Sequence, residues 1–222
     1  MGVKVIITGA TGMVGEGVLM ECLENPNVKE VLMVNRRHFP IEHPKLKECI
    51  VPDFLELEGP DDLLSGFDAC FYCAGISSVG LNEAEYTRIT YDTTLHFAKK
   101  LADLNRKMVF VFVSGAMTDS SETGKIMWAR VKGKTENALI RLPFKNVYNF
   151  RPGFMKATTG QQNIKSYYHL IGWMYPLLRI LMPGNILTLQ EVGQAMVNSV
   201  TEGFDRQILE IKDIRELAKI GN

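Results

Sequence analysis

Neither sign of charge is in surplus in this 222-residue chain, with 25 Lys and Arg set against 25 Asp and Glu. The balance offers no electrostatic argument for nucleic-acid binding. Cysteine is scarce, with four residues in all, too few for a disulfide framework. Cys70 and Cys73 form a CxxC, but inside an apolar strand-like run, where residues three apart face opposite sides. Core packing is expected there rather than a metal or redox pair, and reduced cysteines suit a cytoplasmic location. Histidine is equally sparse. His38, His43, His96 and His169 have no metal-ligand spacing and are expected at the surface or in caps, so no metal is expected. The N-terminus has no basic-then-apolar leader of the secretory kind. Long apolar runs are missing as well. The most apolar stretch, Tyr167 to Met182, is broken by Pro176 and Arg179 and is too short to span a bilayer. It reads as a helical lid or substrate lobe, with a membrane-surface or dimer patch as the alternative.

Glycine at particular places is what the chain does have. Val3 to Gly17 reads VKVIITGATGMVGEG: a nearly unbroken apolar strand, then Gly9, Gly12 and Gly15 at three-residue spacing, then a helical stripe of Val14, Val18 and Cys22 with Leu19 and Leu23. Glu16, Glu21 and Glu24 are expected to face outward, and Asn25-Pro26 ends the helix. A phosphate-binding turn needs each glycine differently. Gly9 allows the sharp turn off the strand, Gly12 lets backbone N–H groups reach a diphosphate, and Gly15 lets helix and strand pack closely. The helix N-terminus beyond adds free donors and a partial positive charge. Glycine costs about 1 kcal/mol against alanine inside a helix, so Gly15 and Gly17 together argue that close approach is required.

Strand and helix patterns then alternate. Strands are expected at Val31–Val34, Cys49–Val51, Ala69–Ala74, Met108–Val113 and Val147–Phe150. Helices are expected at Asp61–Ser65 (short), Glu83–Leu104 and from about Lys125 to Ile140. This is the signature of an α/β fold, a three-layer doubly wound parallel sheet, which binds ligands at the carboxyl ends of its strands. A single domain is expected, with residues 1–155 as a cofactor-binding core. Residues 156–222 form a small C-terminal helical substrate lobe that includes a helix over Gln190–Val200, a strand over Ile208–Ile211 and a last helix near Asp213–Lys219.

The second strand ends in Asn35-Arg36-Arg37, where an NAD site carries a carboxylate on the ribose 2′-hydroxyl. Guanidinium groups instead attract a 2′-phosphate. NADP(H) is therefore expected over NAD(H), with Arg36 and Arg37 on the phosphate and Asp53 and Phe54 flanking the adenine.

These residues resemble the short-chain dehydrogenase/reductase superfamily, in particular its atypical and extended, epimerase-like members. The TGATGMVG turn resembles their TGxxGxxG, which implies cofactor contacts from Gly9, Thr11, Gly12, Met13, Val14 and Gly15. Ala74-Gly75 resembles their cofactor-contacting turn, and Arg151-Pro152-Gly153 their turn beside the nicotinamide, which implies contacts from Pro152 and Gly153. The resemblance also implies Ser114 as the catalytic serine and Lys132 as the lysine of YxxxK, binding the ribose. It spans roughly residues 3 to 155. One position departs: Trp128 stands where the family has its proton-transferring tyrosine, and an indole N–H can donate but not titrate usefully.

Two readings follow. In the first, the protein is an NADP-dependent oxidoreductase or epimerase on a small carbonyl or hydroxyl substrate. Its acid is then drawn from Tyr86, Tyr91, Asp119, or Ser114 with a water. In the second, it binds NADP(H) without catalysis, as a redox-sensing or regulatory protein, with Trp128 as a stacking platform. Relatives that pair do so through two long helices, here Glu83–Leu104 and Lys125–Ile140, so a homodimer is a further expectation. The same apolar stripes could equally cover the sheet.

Overall fold

A computed structural model describes residues 2–57, 61–164 and 184–220. The Tyr167–Met182 segment lies outside the described residues. Nine strands are described: β1 (Val3–Thr8), β2 (Val28–Asn35), β3 (Leu46–Ile50), β4 (Ala69–Tyr72), β5 (Val109–Val113), β6 (Asn146–Phe150), β7 (Phe154–Lys156), β8 (Ile186–Thr188) and β9 (Ile208–Leu209). Seven form one parallel sheet in the order β3-β2-β1-β4-β5-β6-β9, and β7 and β8 pair separately.

Alternation along the strands divides the core in two. Val5, Ile7, Val31, Met33, Phe71 and Phe150 pack on one face, against α1 (Met13–Glu24) and the C-terminal helices. Ile6, Leu32, Cys70, Tyr72, Phe110 and Phe112 pack on the other, against residues of the helices that follow β4 and β5. Cys70 and Cys73 fall on opposite faces as their spacing implies, and all four cysteines are free. The C-terminal part completes the fold. β9 pairs with β6 at the sheet edge, and the helix Leu189–Thr201 buries Val192 and Met196 in the α1-side core. The side chain of its Leu189 lies 2.7 Å from where a Cβ on Gly17 would stand.

Among the described residues between β3 and β4 the helix is the short α2 (Asp61–Leu64). The helix expected over Glu83–Leu104 is three pieces: α3 (Glu83–Thr87), a π-helical turn (Arg88–Asp92) and α4 (Thr93–Leu104). Such a turn accommodates an extra residue without breaking the helix, and here it sets the Tyr91 ring under the Lys134 ammonium, 4.5 Å away. The helix after β5 is α5 (Met127–Ile140), starting two residues later than expected. Leu95, Phe97, Ala98 and Leu101 of α4 and Leu139 of α5 are buried in the sheet-side core, while Asp92, His96, Lys99 and Asp103 face outward. The apolar stripes of these helices therefore cover the sheet. The remaining helices are α6 (Leu189–Thr201) and α7 (Ile211–Leu217).

Glu16 does not face outward as helical periodicity suggests. It is 3% exposed, and its carboxylate accepts hydrogen bonds from the backbone N–H groups of Gln162 and Asn163, at 2.6 and 2.7 Å. A charge buried this deeply needs such partners, and they come from a segment far along the chain.

Candidate nucleotide-binding and catalytic site

The strand order reverses direction between β1 and β4, which opens a crevice at the carboxyl ends of the strands. Gly9 turns the chain off β1 with φ +72°, and a Cβ there would come within 2.7 Å of the Ala74 backbone. A Cβ on Gly15 would stand 2.2 Å from the Gly9 carbonyl oxygen, so the first turn of α1 packs directly on the loop. The Thr8 hydroxyl accepts from the Ala74 N–H at 3.2 Å, tying the exits of β1 and β4 together.

Two adjoining cavities lie over this turn and share Thr11, Gly12, Cys73, Ala74, Gly75 and Asn163. The first, of about 620 Å³, adds Gly9, Asn35, Arg36, Arg37 and Phe54. Arg36 and Arg37 are exposed and make no hydrogen bond or ion pair with a described residue. Asn35 beside them is 3% exposed, and neither its amide nitrogen nor its amide oxygen has a partner. Burying an amide unpaired costs about 1–3 kcal/mol, so this end of the cleft has hydrogen-bonding capacity that a ligand can meet. Among the described residues no carboxylate lines this cavity. Phe54 is buried against Phe97, with ring centroids 5.0 Å apart. Asp53 lines a smaller adjoining opening with Arg36, and its carboxylate accepts from the Leu55 N–H.

The second cavity, of about 770 Å³, takes Met13, Val14, Ser114 and Lys132 together with Met155. Lys132, on α5, donates from Nζ to the Ser114 carbonyl at 2.7 Å, and burial pulls its pKa down to about 8. The Ser114 hydroxyl lies 3.0 Å from that of Thr118, and Thr118 donates to the Gly115 carbonyl at 2.8 Å. A hydroxyl has one proton to give. Thr118 therefore accepts from Ser114, which leaves the Ser114 lone pairs free. Met117, in the same loop, holds φ at +67°, the kind of strain that collects at functional sites.

The other expected residues fall elsewhere. Trp128 is half-buried on the first turn of α5, its ring edge 4.0 Å from where a Cβ on Gly115 would stand, and it does not line the cavity. Pro152 and Gly153 line neither cavity. The Pro152 carbonyl accepts from Ala116 N–H, and a Cβ on Gly153 would come within 2.6 Å of Asn185. Arg151 is buried in ion pairs with Glu136 of α5 and Glu210, and it also bonds Ser120. Of the candidate acids, Ser114 alone lines the cavity. Tyr86 is buried, which pushes its hydroxyl pKa up, and Tyr91 carries Lys134. Asp119 is held low by hydrogen bonds from Ser121 and the Gly124 backbone and ties its own loop together. Thr118, Asn163 and the buried role of Glu16 were not legible from residue type. Each depends on a partner that no short-range pattern announces.

With that geometry in place, comparison with known proteins is decisive. The model of the NAD-dependent epimerase/dehydratase family matches residues 5–125, more than half of the chain. The chain belongs to that family. Among family relatives, "Leucinostatins biosynthesis cluster protein T" of Purpureocillium lilacinum is 27% identical over 90% of this chain and 86% of its own length. "Protein FMP52, mitochondrial" of Meyerozyma guilliermondii is 25% identical over 68% of this chain, which spans 65% of that protein. The Bordetella bronchiseptica enzyme WbmF, solved in complex with NAD+, superimposes with a TM-score of 0.64 over 98% of this chain and 76% of its own, at 15% identity. At that identity the likeness is one of fold. This epimerase/dehydratase-family protein is thus an NAD(P)-binding Rossmann protein. Among its described residues no helix is long and apolar enough to cross a membrane, and no group of metal ligands is present.

Proposed function

We propose that the protein is an NADP(H)-binding oxidoreductase of the short-chain dehydrogenase type, acting on a small carbonyl or hydroxyl substrate, with Ser114 and Lys132 handling the proton that a tyrosine handles in relatives. The observation that carries the proposal is the shared cavity: Ser114 and Lys132 meet the glycine turn across one space, and the Lys132 ammonium titrates near pH 8. A group that titrates near neutral pH is a usable acid or base, and positioning one contributes about 10²–10⁴-fold. The glycine turn and Asn35 would hold the dinucleotide, which when bound supplies or takes up a hydride. Lys132 binds and orients at the ribose end, and the free Ser114 lone pairs receive a substrate hydroxyl.

Preference for NADP(H) is supported by Arg36 and Arg37 beside an uncharged Asn35, with no carboxylate among the described residues of that cavity. One charge-assisted contact is worth about 1.5–3 kcal/mol, or roughly ten- to a hundredfold in affinity. Calorimetric titration with NADPH and NADH, in the wild type and in Arg36→Ala, tests this. Equal affinities unchanged by the substitution overturn it.

A second reading, a non-catalytic NADP(H) sensor, is supported by the sequence: Trp128, four residues before Lys132 on α5, stands where the short-chain dehydrogenase pattern has tyrosine. Trp128→Tyr decides between them. A gain in carbonyl reduction supports the enzyme, and a folded, NADPH-binding, inert variant supports the sensor. A cytoplasmic location is proposed on the four free cysteines. Cell fractionation tests it, with recovery in mitochondria as the contradicting outcome.

A further inference from the structure

Over the N-terminal turn of α1 runs the segment 158–163, held there by hydrogen bonds from both its side chains and its backbone. The Gln161 amide nitrogen donates to the Met13 carbonyl at 2.7 Å, and its amide oxygen accepts from the Thr158 N–H at 2.6 Å. The buried Glu16 carboxylate then takes the N–H groups of Gln162 and Asn163, one on each oxygen. The outcome of this clamp is the position of Asn163. It lines both cavities together with Thr11 and Gly12, and its amide nitrogen is buried without a partner among the described residues. A buried N–H₂ group with nothing to donate to is costly unless a ligand completes it. The cavity on either side of it is floored by the glycine turn.

We infer that Asn163 is a dinucleotide-binding residue whose amide nitrogen donates to the diphosphate from the side opposite the glycine turn, and that Glu16 is the positioning residue that holds it there. The inference rests on the reading of the cleft as a dinucleotide site. The diphosphate is gripped from two sides, by the loop N–H groups below and by the 158–163 segment above. The Glu16 charge does not oppose the bound anion, because both of its oxygens are occupied by the segment's own N–H groups and it sits in the favourable first turn of α1.

The test is titration of the full chain with NADPH and, by competition, with adenosine 2′-phosphate, which keeps the Arg36/Arg37 contact and has no diphosphate. Asn163→Ala should weaken NADPH by roughly ten- to a hundredfold, as expected for loss of a charge-assisted hydrogen bond, and leave adenosine 2′-phosphate unchanged. Asn163→Asp, which keeps the size and adds a negative charge, should weaken NADPH further still. Glu16→Gln should weaken NADPH less than either, again with adenosine 2′-phosphate unchanged. Wild-type affinity for NADPH in Asn163→Ala overturns the inference and leaves the dinucleotide reading standing, as does equal weakening of both ligands. Failure of the wild type to bind any dinucleotide overturns both.

Discussion

The two ends of the cleft differ in how much of their polar capacity is used. At the β2 end, the side chains of Asn35, Arg36 and Arg37 stand at the cavity with no hydrogen-bond partner among the described residues. At the β5–α5 end the groups are paired with one another: Lys132 on the Ser114 carbonyl, Ser114 on Thr118, Thr118 on Gly115. The first region is built around something absent from the chain itself. The second is a chain of mutual hydrogen bonds whose open capacity is the Ser114 lone pairs. Binding should therefore depend on single residues at one end, and chemistry on a coupled set at the other.

The largest effect should come from Trp128→Tyr, which adds a titratable phenol four residues before Lys132 on α5 and should raise NADPH-dependent carbonyl reduction by about 10²–10⁴-fold, measured by loss of NADPH absorbance over a panel of small carbonyls. No change would mean that the β5–α5 end is not poised for reduction. Next is the tie beneath it. Glu136 is fully buried on α5 and pairs with Arg151 at 2.5 Å. Glu136→Ala leaves a buried guanidinium short of its main partner and should cost about 3–5 kcal/mol, read as a lower denaturant midpoint. A loss under 1 kcal/mol would show the pair to be dispensable.

Much of the β2 end could be read from the sequence because backbone sterics dictate it. A left-handed turn at Gly9 and the close packing of Gly15 admit only glycine, so their spacing was visible without coordinates. Strand runs were visible for a similar reason, since buried parallel strands are apolar on both faces. What stayed hidden is long-range. Glu16 looked like a solvent-facing charge because its partners lie 146 and 147 residues away. The π-helical turn hid inside a helical pattern that tolerates one extra residue. The expectation for Pro152 and Gly153 rests on a short motif, which carries no sign of their neighbours Ala116 and Asn185.

A smaller effect tests the protonation of the coupled end. Reduction should decline as pH rises through about 8, where Lys132 loses its proton, and oxidation of an alcohol should rise over the same range. A flat profile across that range would remove Lys132 from proton handling. Smallest is Thr118→Val, which takes away the acceptor for the Ser114 proton. It should shift KM between alcohol and carbonyl substrates in favour of the carbonyl by a few-fold, on the scale of one neutral hydrogen bond of about 1 kcal/mol, with NADPH affinity unchanged.

Whether the open end of the cleft takes NADP(H) through Arg36 and Arg37 can be read from one calorimetric comparison of NADPH and NADH on the wild-type protein. NADPH should bind roughly ten- to a hundredfold tighter than NADH, on the strength of one charge-assisted contact to the 2′-phosphate. Equal affinity for the two, or no binding of either, would contradict it.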